Sequence, residues 1–171
     1  IPPTEQYYIG GGKRLRLAAP RGTGTVGSTA DSYVVEAIAS GEKRWELRDA
    51  RQTVRLPDGG TALLADMRPG DAFIIVQADN AAKVVRRLLV RVAEAPRPYR
   101  SHGQAVAALG AEVMPDCIVA RLGVSPGAPA YTEAWGEEMY QLGVQRFTTF
   151  DPTRRTKVFA IRVEPIDWLP T

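Results

Sequence analysis

The chain of 171 residues is 44% hydrophobic and 24% charged, which suits one globular domain and excludes a large multidomain enzyme. Its single cysteine, Cys117, and single histidine, His102, exclude a disulfide framework and a zinc site built from these residue types in one chain. The formal net charge is +3, and 18 of the 22 basic residues are arginine. Arginine suits bidentate contacts with phosphate and guanine, but a GC-rich genome also raises its frequency, so position along the chain must decide.

Short elements of both kinds alternate along the chain and predict one α+β domain built on a small curved sheet or barrel. We expect residues 1–28 to form an N-terminal extension with a glycine-rich loop, and residues 29–171 to form a single globular unit. Within it the patterns predict, in order, a helix that starts at the capping residues 28–31 and ends at residue 40, a strand at 44–48, a hairpin at 53–64, strands at 72–77 and 82–93, helices at 102–109 and 131–142, and a last strand at 157–164.

The glycine-rich loop at residues 22–27 reads Gly-Thr-Gly-Thr-Val-Gly and fits the dinucleotide-binding pattern. A dinucleotide fold requires a second strand-helix-strand unit, whereas this chain continues into hairpins. We therefore expect no cofactor and interpret the segment as a loop at the rim of the domain.

The strand at 82–93 carries basic side chains at every fourth residue. Lys83, Arg87 and Arg91 share one strand face at intervals of roughly 13 Å, which is about two phosphate steps along an extended nucleic acid. Two interpretations follow: contact with the nucleic-acid backbone, or an edge strand that its charges protect from aggregation.

A second polar group lies where the first helix meets the next strand. Gly41 is typical of a residue that ends a helix, and the strand after it places Glu46 and Arg48 on one face, with Trp45 and Leu47 on the other face toward the core. Lys43 converges with Glu46 only if the strand begins after Lys43. Such a group can bind the edge of a base, act as an acid/base pair, or form a structural ion pair between helix and strand.

The same residues resemble the signature of the ASCH family, which reads Gly-x-Lys-x-x-Glu-x-Arg and is matched by Gly41, Lys43, Glu46 and Arg48. The resemblance continues in the Pro-Gly-Asp turn at 69–71 with the strand after it, in the basic strand that ends at Tyr99, and in residues 109–116. It implies a small PUA-like β-barrel flanked by helices, a cleft where the signature meets the barrel, and a link to RNA, nucleotides or modified nucleosides. Tyr99 joins the four signature residues as an implied ligand-binding residue.

Three functions therefore remain open. The first is an ASCH-like module that binds RNA or a modified nucleoside at the signature, with Lys83, Arg87 and Arg91 contacting phosphates. The second is a small hydrolase with Lys43 and Glu46 as catalytic residues. It would be either a ribonuclease or an amidohydrolase of acetylated cytidine, although Glu46 occupies the position where those relatives have their threonine nucleophile. The third is a protein-interaction module of a larger transcription or RNA-processing assembly, which would expose an apolar patch.

Location and partners follow from what the sequence lacks. No apolar run approaches the roughly 20 residues that span a bilayer, so we expect no membrane partner. The missing disulfides predict an intracellular protein of the cytoplasm or nucleus. Because the chain begins at Ile1 rather than Met, the removal of a leader stays open.

Overall fold

A computed structural model describes residues 6–9, 13–16, 25–26, 32–55, 60–78, 84–122, 127–146 and 157–169. Its strands are β1 (Gln6–Ile9), β2 (Lys13–Arg16), β3 (Thr25–Val26), β4 (Trp45–Asp49), β5 (Thr53–Arg55), β6 (Thr61–Leu63), β7 (Ala72–Ala78), β8 (Val84–Tyr99) and β9 (Val158–Leu169). Its helices are α1 (Ser32–Ser40), α2 (His102–Leu109), α3 (Asp116–Leu122) and α4 (Glu133–Arg146), and short 3-10 turns lie at Leu64–Asp66 and Gly110–Glu112.

Seven of these strands form one sheet in the order β4-β9-β8-β7-β3-β5-β6, and β1 pairs with β2 in a separate hairpin. Neighbours in the large sheet are antiparallel except for β3 and β7, which run parallel. β3 belongs to the predicted N-terminal extension, yet it lies inside the main sheet between β7 and β5. The extension therefore contributes a strand to the domain, and the interpretation of residues 22–27 as a loop at the rim is wrong for residues 25–26.

Two apolar clusters hold the sheet and the helices together. The sheet cluster joins α1 to β7, β8 and β9, and its fully buried members include Ile38, Phe73, Val90 and Ile161. The helix cluster packs one face of β4 and β9 against α2, α3 and α4, and it includes Trp45, Leu47, Val106, Ile118 and Met139. The sheet is thus covered by helices beside its β4 edge, where the candidate site lies.

The prediction of a mixed fold is confirmed, but closure into a barrel is not. In the described residues no ladder joins β4 to β6, so the seven strands form an open sheet. The helices predicted at 28–40, 102–109 and 131–142 are present as α1, α2 and α4, whereas α3 and β1 were not predicted because each is too short to show a period. None of the described helices is long and apolar enough to cross a membrane.

The interpretation of the basic strand as an edge strand is wrong. β8 pairs with β7 along one side and with β9 along the other, so it lies inside the sheet. Apolar residues at successive positions, Leu88, Leu89 and Val90, are all at most 1% exposed, so both faces of β8 are covered in this part of the strand. The strand also continues past residue 93 to Tyr99.

α2 and α4 approach each other at two glycines. A Cβ atom added to Gly103 would lie 2.3 Å from the Glu133 carbonyl oxygen, and one added to Gly136 would lie 2.8 Å from the Cα of Gly103. Carbon and oxygen atoms do not approach so closely without a clash, so only glycine permits this helix crossing. The Glu137 carboxylate accepts a hydrogen bond of 2.7 Å from the Gly103 N–H across the same contact.

We expect Gly103→Ala to lower the free energy of unfolding by about 2 to 3 kcal/mol, because overpacking at a backbone contact forces the two helices apart. Urea unfolding followed by circular dichroism measures this. Gly127→Ala is the matched control, since its Cβ would meet nothing within 4 Å, and we expect it to change stability by less than about 0.5 kcal/mol. Equal stability of the two variants would contradict the close crossing.

Candidate ligand-binding site

The corner between α1 and β4 begins with a glycine in a left-handed conformation. Gly41 has a φ of +85°, which L side chains rarely adopt. Its N–H donates to the Ile38 carbonyl at 3.1 Å, and the Lys43 N–H donates to the Ala37 carbonyl at 3.0 Å. These bonds end the helix and turn the backbone, and β4 begins only at Trp45. Lys43 therefore precedes the strand, which is the condition for its convergence with Glu46.

Lys43, Glu46 and Arg48 form what we call the ion cluster. The Lys43 Nζ lies 3.6 Å from Glu46 Oε1, and an Arg48 Nη2 hydrogen donates to Glu46 Oε2. Each of the three residues is only 7% exposed. The structure thus brings together three of the predicted site residues, with the carboxylate between the two cations, and Gly41 forms the turn beside them.

The ion cluster shares a sheet face with apolar core residues. Glu46 is paired with Ile161 and Arg48 with Phe159 across the antiparallel ladder between β4 and β9, and directly opposed residues lie on the same face. Ionic groups in such a position lose most of their hydration, so their mutual attraction and hydrogen bonds must offset that cost. Lys43 gains a further bond, since its Nζ donates to the Val113 carbonyl at 2.7 Å.

One donor of the cluster has no acceptor. Within the described part of the chain, the Arg48 Nε is fully buried and makes no hydrogen bond. A buried donor without a partner costs on the order of 1 to 3 kcal/mol, and such groups are uncommon outside functional sites. The cluster combines this donor with a formal charge of +1 from two cations and one carboxylate. It is therefore suited to an anionic or acceptor-rich group such as a phosphate or a base carbonyl.

Tyr99 does not join the ion cluster. It is the last residue of β8 and packs against the helix cluster, together with Trp45 and Leu47. The prediction that Trp45 and Leu47 face the core is confirmed, because they are 2% and 7% exposed. Since Glu46 alternates with them along β4, Tyr99 lies on the opposite side of the strand.

Lys83, Arg87 and Arg91 were predicted to form one basic stripe along β8, and the structure describes two of them. Lys83 lies outside the described residues. Arg87 is 4% exposed, and its burial lowers the pKa of the guanidinium, whereas Arg91 is exposed. Because β8 is an inner strand, basic residues at every fourth position do not form the continuous exposed face that alternation predicted. Only Arg91 of the described pair is accessible to a phosphate.

The remaining reactive side chains do not extend the site. His102 is buried at the start of α2, and its ring packs 4.7 Å from that of Tyr140. Cys117 is an exposed residue, but partial desolvation of its thiol, followed by a hydrogen bond to Glu42, raises the pKa of the thiol. A raised pKa reduces the thiolate fraction and with it nucleophilicity. Among the described residues no group of three or more His, Cys, Asp or Glu could hold a metal ion.

Sequence reasoning missed a second polar group, on the other side of β4. Glu112 accepts hydrogen bonds from the Trp45 Nε1 at 3.2 Å and from Arg162 at 3.0 Å, and Arg97 and Arg162 both lie over the Trp45 ring. These residues come from four separate elements, so no local spacing connects them. The sequence feature that could have indicated this group is the excess of arginine in β8, which also carries Glu94.

Comparison with family models, with curated proteins and with solved structures finds no match for this chain. The function of the chain must therefore be inferred from its own residues. What they offer is a buried cluster of two cations around one carboxylate, with one unused guanidinium donor, at a helix-to-strand corner. This arrangement can bind an anion or orient a base, and it contains no hydroxyl or thiol nucleophile.

We expect Glu46→Gln to lower the free energy of unfolding by about 3 kcal/mol, because removing one partner leaves two buried cations without a counter-charge. The measurement is urea unfolding at neutral pH. Glu164→Gln removes the same charge from an exposed position of β9, and we expect less than about 0.5 kcal/mol there. If both variants are equally stable, the ion cluster does not stabilise the corner.

Proposed function

We propose that this chain is an ASCH-like module that binds RNA or a modified nucleoside at the ion cluster. The observation that carries the proposal is the convergence of Lys43, Glu46 and Arg48. They are the polar residues of the signature, they follow a helix-ending Gly41, and they lie at a helix-to-strand junction, as the family pattern implies. The mixed fold, with helices packed against the antiparallel strands β4, β9, β8 and β7, supports the proposal. The PUA-like barrel remains part of it as an expectation.

The charge of the cluster favours a ligand rich in oxygen acceptors. Two cations surround one carboxylate, so the cluster keeps a formal excess of one positive charge. In addition, the Arg48 Nε has an unused hydrogen in the described structure. A phosphate oxygen or the carbonyl of a base satisfies both features, and in a site of low polarity such a charge-assisted bond is stronger than in water.

The residues would have different roles. Glu46 holds Arg48 in a defined orientation, which is what recognition of the edge of a base requires. Lys43 is held by Glu46 and by the Val113 carbonyl, so its ammonium supplies positive charge at a fixed position. Gly41 permits the turn that brings Lys43 back toward the strand.

The same geometry favours binding over catalysis. A general acid or base must exchange its proton with the substrate, but the Glu46 carboxylate is held by two cations. Glu46 also occupies the position where the amidohydrolase relatives have their threonine nucleophile, and the ion cluster contains no hydroxyl group. Incubation with acetylcytidine and with labelled RNA tests the enzyme alternative. If the protein turns over either substrate and Lys43→Met abolishes this activity, the protein is an enzyme and not a binding module alone.

We expect Lys43→Met to weaken binding of a short, fluorescently labelled single-stranded RNA by about tenfold, because a buried charge-assisted contact is worth about 1.5 to 3 kcal/mol. Fluorescence anisotropy measures the affinity, and competition with free modified nucleosides identifies the preferred base. Thermal unfolding checks that each variant is folded at the temperature used.

The matched control for Lys43→Met is Lys157→Met, which removes the same charge from an exposed position before β9. We expect it to bind RNA as the unchanged protein does. Equal affinity of the two variants would show that the ion cluster has a structural role only. Absence of RNA and nucleoside binding by the unchanged protein would reject the proposed function.

Arg91→Gln tests the part of the basic stripe that is accessible. If Arg91 contacts one phosphate, its removal lowers the slope of log affinity against log salt by about 1, measured between about 50 and 200 mM salt. Arg68→Gln serves as the control, because Arg68 is also exposed but lies in the turn before β7. An unchanged slope in Arg91→Gln would remove β8 from the interface.

A further inference from the structure

The face of β4 opposite the ion cluster carries a second polar surface, which we call the Trp45 surface. Its members come from the residue before β4, from β4, β8 and β9, and from the turn after α2; they are Arg44, Trp45, Glu94, Arg97, Glu112 and Arg162. The three arginines and two glutamates give it a formal charge of +1. It contains none of the four matched signature residues and none of the predicted stripe.

Irregular pairing in β8 creates this surface. Between Val92 and Arg97 β8 advances five residues, while β9 advances only three, from Val163 to Ala160. In a regular strand Glu94 and Arg97 would lie on opposite faces, since they are three residues apart. The extra residues place both on the face of Ala160. β-Bulges redirect side chains in this way and are frequent next to functional sites.

The redirected Arg97 is held from two sides. Its Cζ lies 4.7 Å from the centre of the Trp45 ring, and its Nη2 donates to Glu94 Oε1 at 3.0 Å. Hydrogen bonding to Glu94 and then to Tyr99 raises the pKa of Arg97. Glu94 also pairs with the Nε of Arg162 at 3.3 Å. The guanidinium is therefore fixed before any ligand arrives, which reduces the entropy that binding must remove.

This fixed guanidinium is still open to solvent. The Arg97 side chain is 49% exposed, whereas Trp45 beneath it is 2% exposed. The tryptophan ring covers one side of the guanidinium, and the group remains accessible elsewhere. The Arg44 side chain is 54% exposed and approaches Glu112 only at 4.0 Å, so its charge is weakly paired. A planar cation backed by an aromatic ring is a surface on which unstacked bases of single-stranded RNA pack.

We propose that Arg97 is a stacking platform for a base of single-stranded RNA, with Arg44 contacting a neighbouring phosphate. This proposal rests on the proposed function, because the base bound at the ion cluster and the base stacked on Arg97 would belong to one RNA strand that passes the edge strand β4. Trp45 acts as a positioning residue, since it holds Arg97 from beneath and has almost no exposed surface for the base.

The test compares Arg97→Gln and Arg97→Lys with the unchanged protein by anisotropy with the short single-stranded RNA. We expect Arg97→Gln to weaken binding about tenfold, which is the usual effect of losing one stacked base. Arg97→Lys keeps the charge but loses the planar group, so we expect most of the same loss. Full affinity in Arg97→Lys would overturn the stacking platform, because a simple charge would then suffice.

Photocrosslinking supplies a second readout that a structural role would not change. Thiouridine-substituted RNA should crosslink to the peptide around residues 94–100 in the unchanged protein, and this crosslink should be lost in Arg97→Gln but kept in the control Arg68→Gln. Binding of Arg97→Gln at full affinity would overturn the Trp45 surface as an RNA contact.

The outcomes also separate the two proposals. Weak binding by Lys43→Met together with normal binding by Arg97→Gln would reject the Trp45 surface alone, whereas failure of the unchanged protein to bind RNA would reject both. Binding of an acidic peptide at Arg97 in place of RNA would likewise overturn the proposal.

Discussion

The Glu46 carboxylate is the group on which the corner between α1 and β4 depends. It lies between the Lys43 ammonium and the Arg48 guanidinium, and all three residues are almost completely buried. Removing ions from water costs several kcal/mol each unless their attraction and hydrogen bonds offset the loss. Because Lys43 also donates to the Val113 carbonyl, the position of the carboxylate is coupled to the turn between α2 and α3. Through its contact with Lys43, Glu46 thus links the end of α1 and the edge strand β4 to the turn between α2 and α3.

β4 is an edge strand, since within the described part of the chain it pairs with β9 alone. An exposed strand edge invites pairing with another chain, and inward-pointing charges are one of the ways in which proteins prevent it. Here Glu46 and Arg48 occupy one face, while Trp45 and Leu47 attach the other face to the helices. The strand is held by contacts of opposite chemical character. The same division leaves two surfaces with different capacities for a ligand on its two sides.

Local signals in the sequence predicted the end of the helix and the alternation along β4, but they left the convergence of Lys43 with Glu46 open. The helix-ending glycine, the delayed start of the strand and the alternation of Glu46 with Trp45 and Leu47 all depend on residues close together in the chain. Burial of the basic strand was not predictable in the same way, because it depends on which strands become neighbours of β8. Arg87 and Arg91 carry the same charge and were predicted on the same strand face, yet Arg87 is buried and Arg91 is exposed. Closure into a barrel is likewise not set by local signals, since it requires pairing between distant strands, and no such pairing joins β4 to β6 in the described residues.

The bulged part of β8 illustrates why the arginine excess could not be interpreted from spacing alone. Alternation assigns Glu94 and Arg97 to opposite faces, but the register with β9 places them together, and only then can Glu94 hold Arg97 over Trp45. The extra residues of β8 therefore bring Glu94 and Arg97 to one face of the sheet, where their side chains form an ordered group. A bulge disrupts the ladder locally, and bulges are frequent where they redirect a side chain toward a functional site. In this chain that position is above the tryptophan which directly precedes Glu46, so the two polar surfaces are linked through adjacent residues of one strand.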